Sequence, residues 1–144
     1  MERSMVLLRH TLPDGAWHYD WLVRWRAGDV RDAARPLLAV RVMAPPDGLD
    51  VGASMAGEVI RDHREIYLDF EGELAPAIGP DGLPIARGVV ERIARGSGEA
   101  WRVAGETGGN AGSERGLIEI RGRFEGSQEM LWTVDAAGRV DRRG

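Results

Sequence analysis

The chain has no cysteine among its 144 residues. Disulfides and thiolate zinc sites are therefore excluded. It has no lysine either: all 19 of its cationic side chains are arginines. Any phosphate gripped by a side-chain cation must then be gripped by arginine, whose planar fork of donors suits phosphate oxygens. No apolar run approaches the ~20 residues of a membrane-spanning helix. The N-terminal apolar patch, Met5 to Leu8, is too short for the core of a signal peptide. These absences lead us to expect a cytoplasmic protein with no membrane partner. The net charge of −4 excludes an overall basic coat for nucleic acid, though a local arginine cluster can still hold a nucleic-acid end.

What is present reads as short strands divided by turns. The length suits one domain with a real core, and we expect it over residues 1–135. Residues 136–144 read as a polar tail that frays. Strand-type runs are expected at Ser4 to Leu8, Trp17 to Trp25, Leu37 to Met43, Ile66 to Phe70, Ile85 to Ala94, Glu99 to Val103, Leu117 to Arg123 and Glu129 to Val134. Val51 to Arg61 reads as either a short helix or an irregular strand. Pro13-Asp14-Gly15 and Pro45-Pro46-Asp47-Gly48 are turns. Glu73 to Pro84 reads as a loop, Arg95 to Gly98 as a tight turn, and Ala104 to Gly116 as a polar, mobile stretch. The spacing predicts a mainly β protein, a small closed or partly open β-barrel with at most one or two short helices.

The three histidines fall in two segments. In the strand Trp17 to Trp25, side chains alternate between faces. His18, Asp20, Leu22 and Arg24 share one face. Trp17, Tyr19, Trp21, Val23 and Trp25 share the other, which reads as the core face and leaves the polar pair facing a cleft. Most of the tryptophans are expected in the core rather than stacked on bases. A turn before the strand can bring His10 onto the His18 face. Two imidazoles and a carboxylate converging there make a divalent-metal site with open positions. The residues alone also allow a solvated surface pair at His18 and Asp20. They equally allow an ordinary charge run around His63, between Asp62 and Arg64.

The motifs resemble a known family. A histidine, a spacer and His-Tyr-Asp stand here as His10 and His18-Tyr19-Asp20. An Asp-His segment running into Tyr-x-Asp-Phe-Glu-Gly stands as Asp62-His63 and Tyr67 to Gly72. This pair of motifs resembles the 3′-phosphoesterase domain of bacterial DNA ligase D, with weaker echoes at Leu38 to Val42, Gly88 to Gly96 and Leu117 to Trp132. The resemblance implies a small β-barrel that resects DNA 3′ ends at primer–template junctions, removing a terminal ribonucleoside and then the 3′-phosphate. It implies manganese as cofactor, held by His10, His18 and Asp20, and a DNA ligase or polymerase as partner. It implies that His63 contacts the scissile phosphate and that Tyr67 supports it. Zinc would also accept this donor set.

The chain departs from the family pattern at several points. The first spacer is two residues longer. Leu22 and Leu37 stand where the family usually has arginines, and the family lysine has no counterpart. Arg24, Arg35, Arg41 and Arg61 lie near enough in sequence to substitute as phosphate-binding residues. Two other functions fit the same residues: a non-catalytic, metal-holding module for DNA ends or a repair partner, and a small-molecule phosphate ester hydrolase.

Overall fold

The computed structural model describes residues 3–103 and 116–144. The expected mobile stretch at Ala104 to Gly116 lies almost wholly outside them. The described strands are β1 (Met5–Thr11), β2 (Trp17–Arg24), β3 (Leu37–Val42), β4 (Ser54–Met55), β5 (Gly57–His63), β6 (Gly72–Glu73), β7 (Ala77–Ile78), β8 (Pro84–Ile85), β9 (Val89–Val103), β10 (Leu117–Phe124), β11 (Met130–Val134) and β12 (Val140–Arg143). Among the described residues, helical structure is confined to three short 3-10 turns. One antiparallel sheet runs in the order β4-β12-β11-β10-β9-β1-β2-β3-β5, with β6 on the side of β9. Its two ends, β4 and β5, are joined by Ala56 alone. The sheet thus curls round on itself without a continuous ladder, and the protein is a mainly β, partly open barrel.

Alternation explains the interior. Trp21 and Val23 of β2, Val40 of β3, Ile120 of β10 and Trp132 of β11 form one buried cluster. Trp21 and Trp132 meet edge to face at 4.8 Å. The Trp132 indole N–H donates to the Pro46 carbonyl at 3.0 Å, so its one polar atom is satisfied. As expected, most tryptophans are interior, but Trp17 is 37% exposed and sits under the Arg9 guanidinium.

The opposite face of β1–β3 is also buried. Val6, Leu8, Leu22, Leu37 and Ala39 form a second apolar cluster capped by Leu68 and Tyr67. This corrects the expectation that the His18 face simply opens on a cleft. The polar groups of that β2 face lie at its ends: His18 and Asp20 near the β1–β2 turn, and Arg24, paired with Glu65, at the other.

Four other expectations are corrected. Ile66 to Phe70 is not a strand: Glu65–Leu68 is a 3-10 turn that drops Leu68 onto the second cluster. Glu73 to Pro84 is not wholly loop, because β7 pairs β8 and β6 pairs β9. Arg95 to Gly98 is not a turn: β9 runs straight through it for 15 residues. Gly96 allows this, since a Cβ there would stand 1.9 Å from the Arg123 carbonyl oxygen of the neighbouring strand. Finally, the polar tail does not fray. Val140–Arg143 pairs with β11 and β4, and Val140 is fully buried. The ambiguous Val51 to Arg61 resolves into a turn, β4 and most of β5.

Candidate metal centre

The site is built on one hairpin. The turn at Leu12–Ala16 closes with Leu12 N–H on the Ala16 carbonyl at 2.7 Å, and Asp14 accepts from Ala16 N–H. Pairing across the hairpin sets His10 directly opposite His18, and Leu8 opposite Asp20. Period-two alternation then puts His10, His18 and Asp20 on one face. One potential ligand atom from each lies within 4.8 Å of the others. Across an ion bonded at ~2.2 Å, two ligand atoms stand up to about 4.4 Å apart, so small rotamer adjustments close the site.

The protonation states are set by neighbours. His10 Nε2 lies 2.7 Å from the Arg87 carbonyl oxygen. A carbonyl only accepts, so Nε2 is the donor in this contact and Nδ1 is the nitrogen left to face Asp20. That nitrogen is 3.7 Å from Asp20 Oδ2. A histidine whose second nitrogen donates to a backbone carbonyl is an oriented ligand. His18 Nε2 approaches Asp20 Oδ1 at 3.1 Å. The distance suits an ion pair, but both atoms are buried without an aligned hydrogen bond. Burial holds the His18 imidazole below its usual value of 6.5, reinforced by Arg41 and His10 and opposed by Asp20. His18 is therefore a neutral imidazole at neutral pH, the form that binds metal. Two buried polar atoms 3.1 Å apart with no aligned hydrogen bond between them fit a shared cation.

The lowered His18 value has a measurable consequence. The unfolded chain takes up this proton at higher pH than the native protein, so stability rises with pH across that window. Metal-free protein is expected to lose Tm as pH falls from 6.5 toward the lower native value, and His18→Gln to lose that part of the slope. A Tm profile unchanged by the substitution would contradict the buried, neutral assignment.

Arg41 is the candidate phosphate-binding arginine nearest the cluster: it pairs with Asp20 across β2 and β3. Arg24 is four residues further along β2, in an ion pair with Glu65. Arg61 is exposed on β5, and Arg35 donates to the Asp62 carbonyl at 3.3 Å.

The structure does not bring His63 to the three ligands. His63 ends β5 opposite Leu37, which itself pairs with Arg24. Four residues along β2 and two strands across put its Cα about 16 Å from that of Asp20. Its Nδ1–H donates to the Arg61 carbonyl at 2.7 Å, and its ring meets Tyr67 edge-on at 5.6 Å. Glu71 is structural, accepting the Arg92 backbone N–H at 3.1 Å.

Sequence reasoning missed the Arg87 carbonyl that orients His10. The signal was Gly88, which follows it. Gly88 has φ +95, and a Cβ there would lie 2.0 Å from the Thr11 carbonyl oxygen, next to His10. Gly88→Ala is expected to cost on the order of 1–3 kcal/mol and to weaken metal binding together with stability. Calorimetric titration and a urea melt check both; unchanged metal affinity would mean that this contact does not position His10.

Among the described residues, no helix is long and apolar enough to cross a membrane. A scan against protein-family models finds no match to this chain, and a search of curated proteins finds no relative.

Proposed function

We propose that this protein is a divalent-metal-dependent phosphoesterase acting on the 3′ ends of DNA, removing a terminal ribonucleoside or a 3′-phosphate. One observation carries the reading: His18 Nε2 and Asp20 Oδ1 are buried, 3.1 Å apart and unsatisfied, beside an oriented His10. The motif resemblance supports the choice of substrate.

His10, His18 and Asp20 would hold the ion, with manganese preferred and zinc acceptable to this mix of nitrogen and oxygen donors. Bound there, a divalent ion supplies Lewis-acid polarisation of a phosphoryl oxygen and a more acidic water. The chain supplies the rest. The Arg87 carbonyl fixes the His10 ring, and burial keeps His18 deprotonated. Arg41 offers donors to the non-bridging phosphate oxygens. His63 and Tyr67 would meet the strand leading to the end rather than the reacting phosphate. Such an enzyme would work in the cytoplasm beside a DNA ligase or polymerase.

The test is manganese-dependent release of nucleoside or phosphate from a primer–template ending in one ribonucleotide or a 3′-phosphate. Turnover should vanish in His10→Ala. No turnover by a metal-loaded wild-type protein would overturn the enzymatic reading.

A second reading has its own observation. Leu22 and Leu37 are both fully buried in apolar surroundings, so no cation occupies the positions where the resembled family has arginines. A non-catalytic, metal-holding module for DNA ends or a repair partner fits that loss of charge.

A further inference from the structure

Away from the metal centre, two hollows of about 390 and 530 Å³ share Ser4, Gly98 and Glu99. Arg24 and Arg26 line the first, and Arg121 and Arg123 line the second. Four guanidinium groups thus converge on one groove of a protein whose net charge is −4. Three carboxylates offset much of that charge: Glu99 and Glu129 share the lining, and Glu65 pairs with Arg24. Glu99 binds Arg26 at 2.6 Å, and Glu129 stands 3.9 Å from Arg121. Arg123 makes no ion pair among the described residues.

Two of the guanidinium groups are held in advance. Arg26 lies over the Trp101 ring at 4.2 Å and Arg121 at 5.7 Å. Stacking of this kind fixes long side chains, so less conformational freedom is lost when they take a ligand. Ser4 and Ser97 add small polar side chains to the lining. The preference of fixed guanidinium groups is for phosphate oxygens.

We infer that this groove binds the phosphodiester backbone of a nucleic-acid strand whose 3′ end lies at the metal centre. The inference rests on the phosphoesterase reading for the identity of the polyanion. Position supports it: Arg24 shares the strand face of Asp20, four residues along β2. That is about 13 Å, or about four nucleotides of stacked strand. An end seated on the ligands therefore brings its upstream backbone to the groove.

The test compares wild type with the double variant Arg121→Ala, Arg123→Ala. Both residues are exposed, so truncation leaves the core intact. The probes are a fluorescent 16-nucleotide strand with a 3′-phosphate and a 3′-phosphorylated dinucleotide too short to reach the groove. The variant should bind the long strand about tenfold more weakly, with a salt slope shallower by about two. It should release phosphate from the dinucleotide at the wild-type rate. Equal affinity of both proteins for the long strand, or no binding by wild type, overturns the groove. So does equal displacement by polyglutamate at matched charge, which would make it a general anion surface. The two claims separate cleanly. Weakened DNA binding without any hydrolysis sustains the groove and removes the phosphoesterase reading. Hydrolysis with unchanged binding does the reverse.

Discussion

His18→Ala is expected to lower manganese affinity by at least about a hundredfold while the barrel stays folded. Removing groups that merely orient a ligand already costs about 10–100-fold, and His18 is a proposed ligand itself. His18 is buried at the polar end of the outer face of β2, away from the interior cluster around Trp21 and Trp132. Its loss leaves Asp20 Oδ1 without its 3.1 Å neighbour. Asp20→Asn should weaken binding comparably, because it removes the one negative charge of the set. Calorimetric titration with manganese measures both. Retained stoichiometric binding in His18→Ala would remove the site assignment under every functional reading, catalytic or not.

Leu22→Arg should destabilise the protein by several kcal/mol and bring no gain in turnover. At this position the resembled family carries an arginine, so sequence comparison alone would expect the change to help. The structure argues the opposite. Leu22 is fully buried between Val6 on β1 and Ala39 on β3, beneath the Leu68 cap. An unpaired charge in such a place is far more costly than a lost contact. Leu22→Ala gives the comparison, at about 2–5 kcal/mol for a deleted core leucine. Urea unfolding separates the two. A stable Leu22→Arg protein with increased turnover would show that the Leu68 cap lifts and that the whole outer face is a phosphate cleft.

The reason for that burial was partly hidden in the sequence. Trp21 and Val23 announce an interior face by alternation, and the hairpin partners of β2 follow from turn chemistry at Pro13-Asp14-Gly15. Leu22 sits on the other face among His18, Asp20 and Arg24, so its neighbours suggest solvent. What buries it is Leu68, 46 positions later in the numbering of the chain. No local pattern reveals that contact. The same long-range packing turns Ile66 to Phe70 from an apparent alternating strand into a 3-10 turn, because Leu68 and Tyr67 must both reach the outer cluster. Tertiary packing here overrides local propensity.

The ligand set was more legible than its surroundings. His10 and His18 are brought together by a short turn, and Asp20 follows by strand periodicity, so three positions and one turn determine the cluster. His63 depends on the bulged pairing of β5 with β3, where the register shifts between Leu37 and Ala39. Motif order could not foresee that this pairing carries His63 to the Arg24 end of β2. The tail was misread because Val140, the single apolar residue among Arg139, Asp141, Arg142 and Arg143, gives no periodic signal. Its burial comes from pairing with Met55 and Val134.

The most direct measurement is an anomalous difference map from crystals grown with manganese, recorded on both sides of the manganese absorption edge. A single strong peak bonded to His10 Nδ1, His18 Nε2 and an Asp20 carboxylate oxygen is the expected result. A map with no peak there, or with manganese only on other carboxylates, would contradict the metal centre and the phosphoesterase reading built on it.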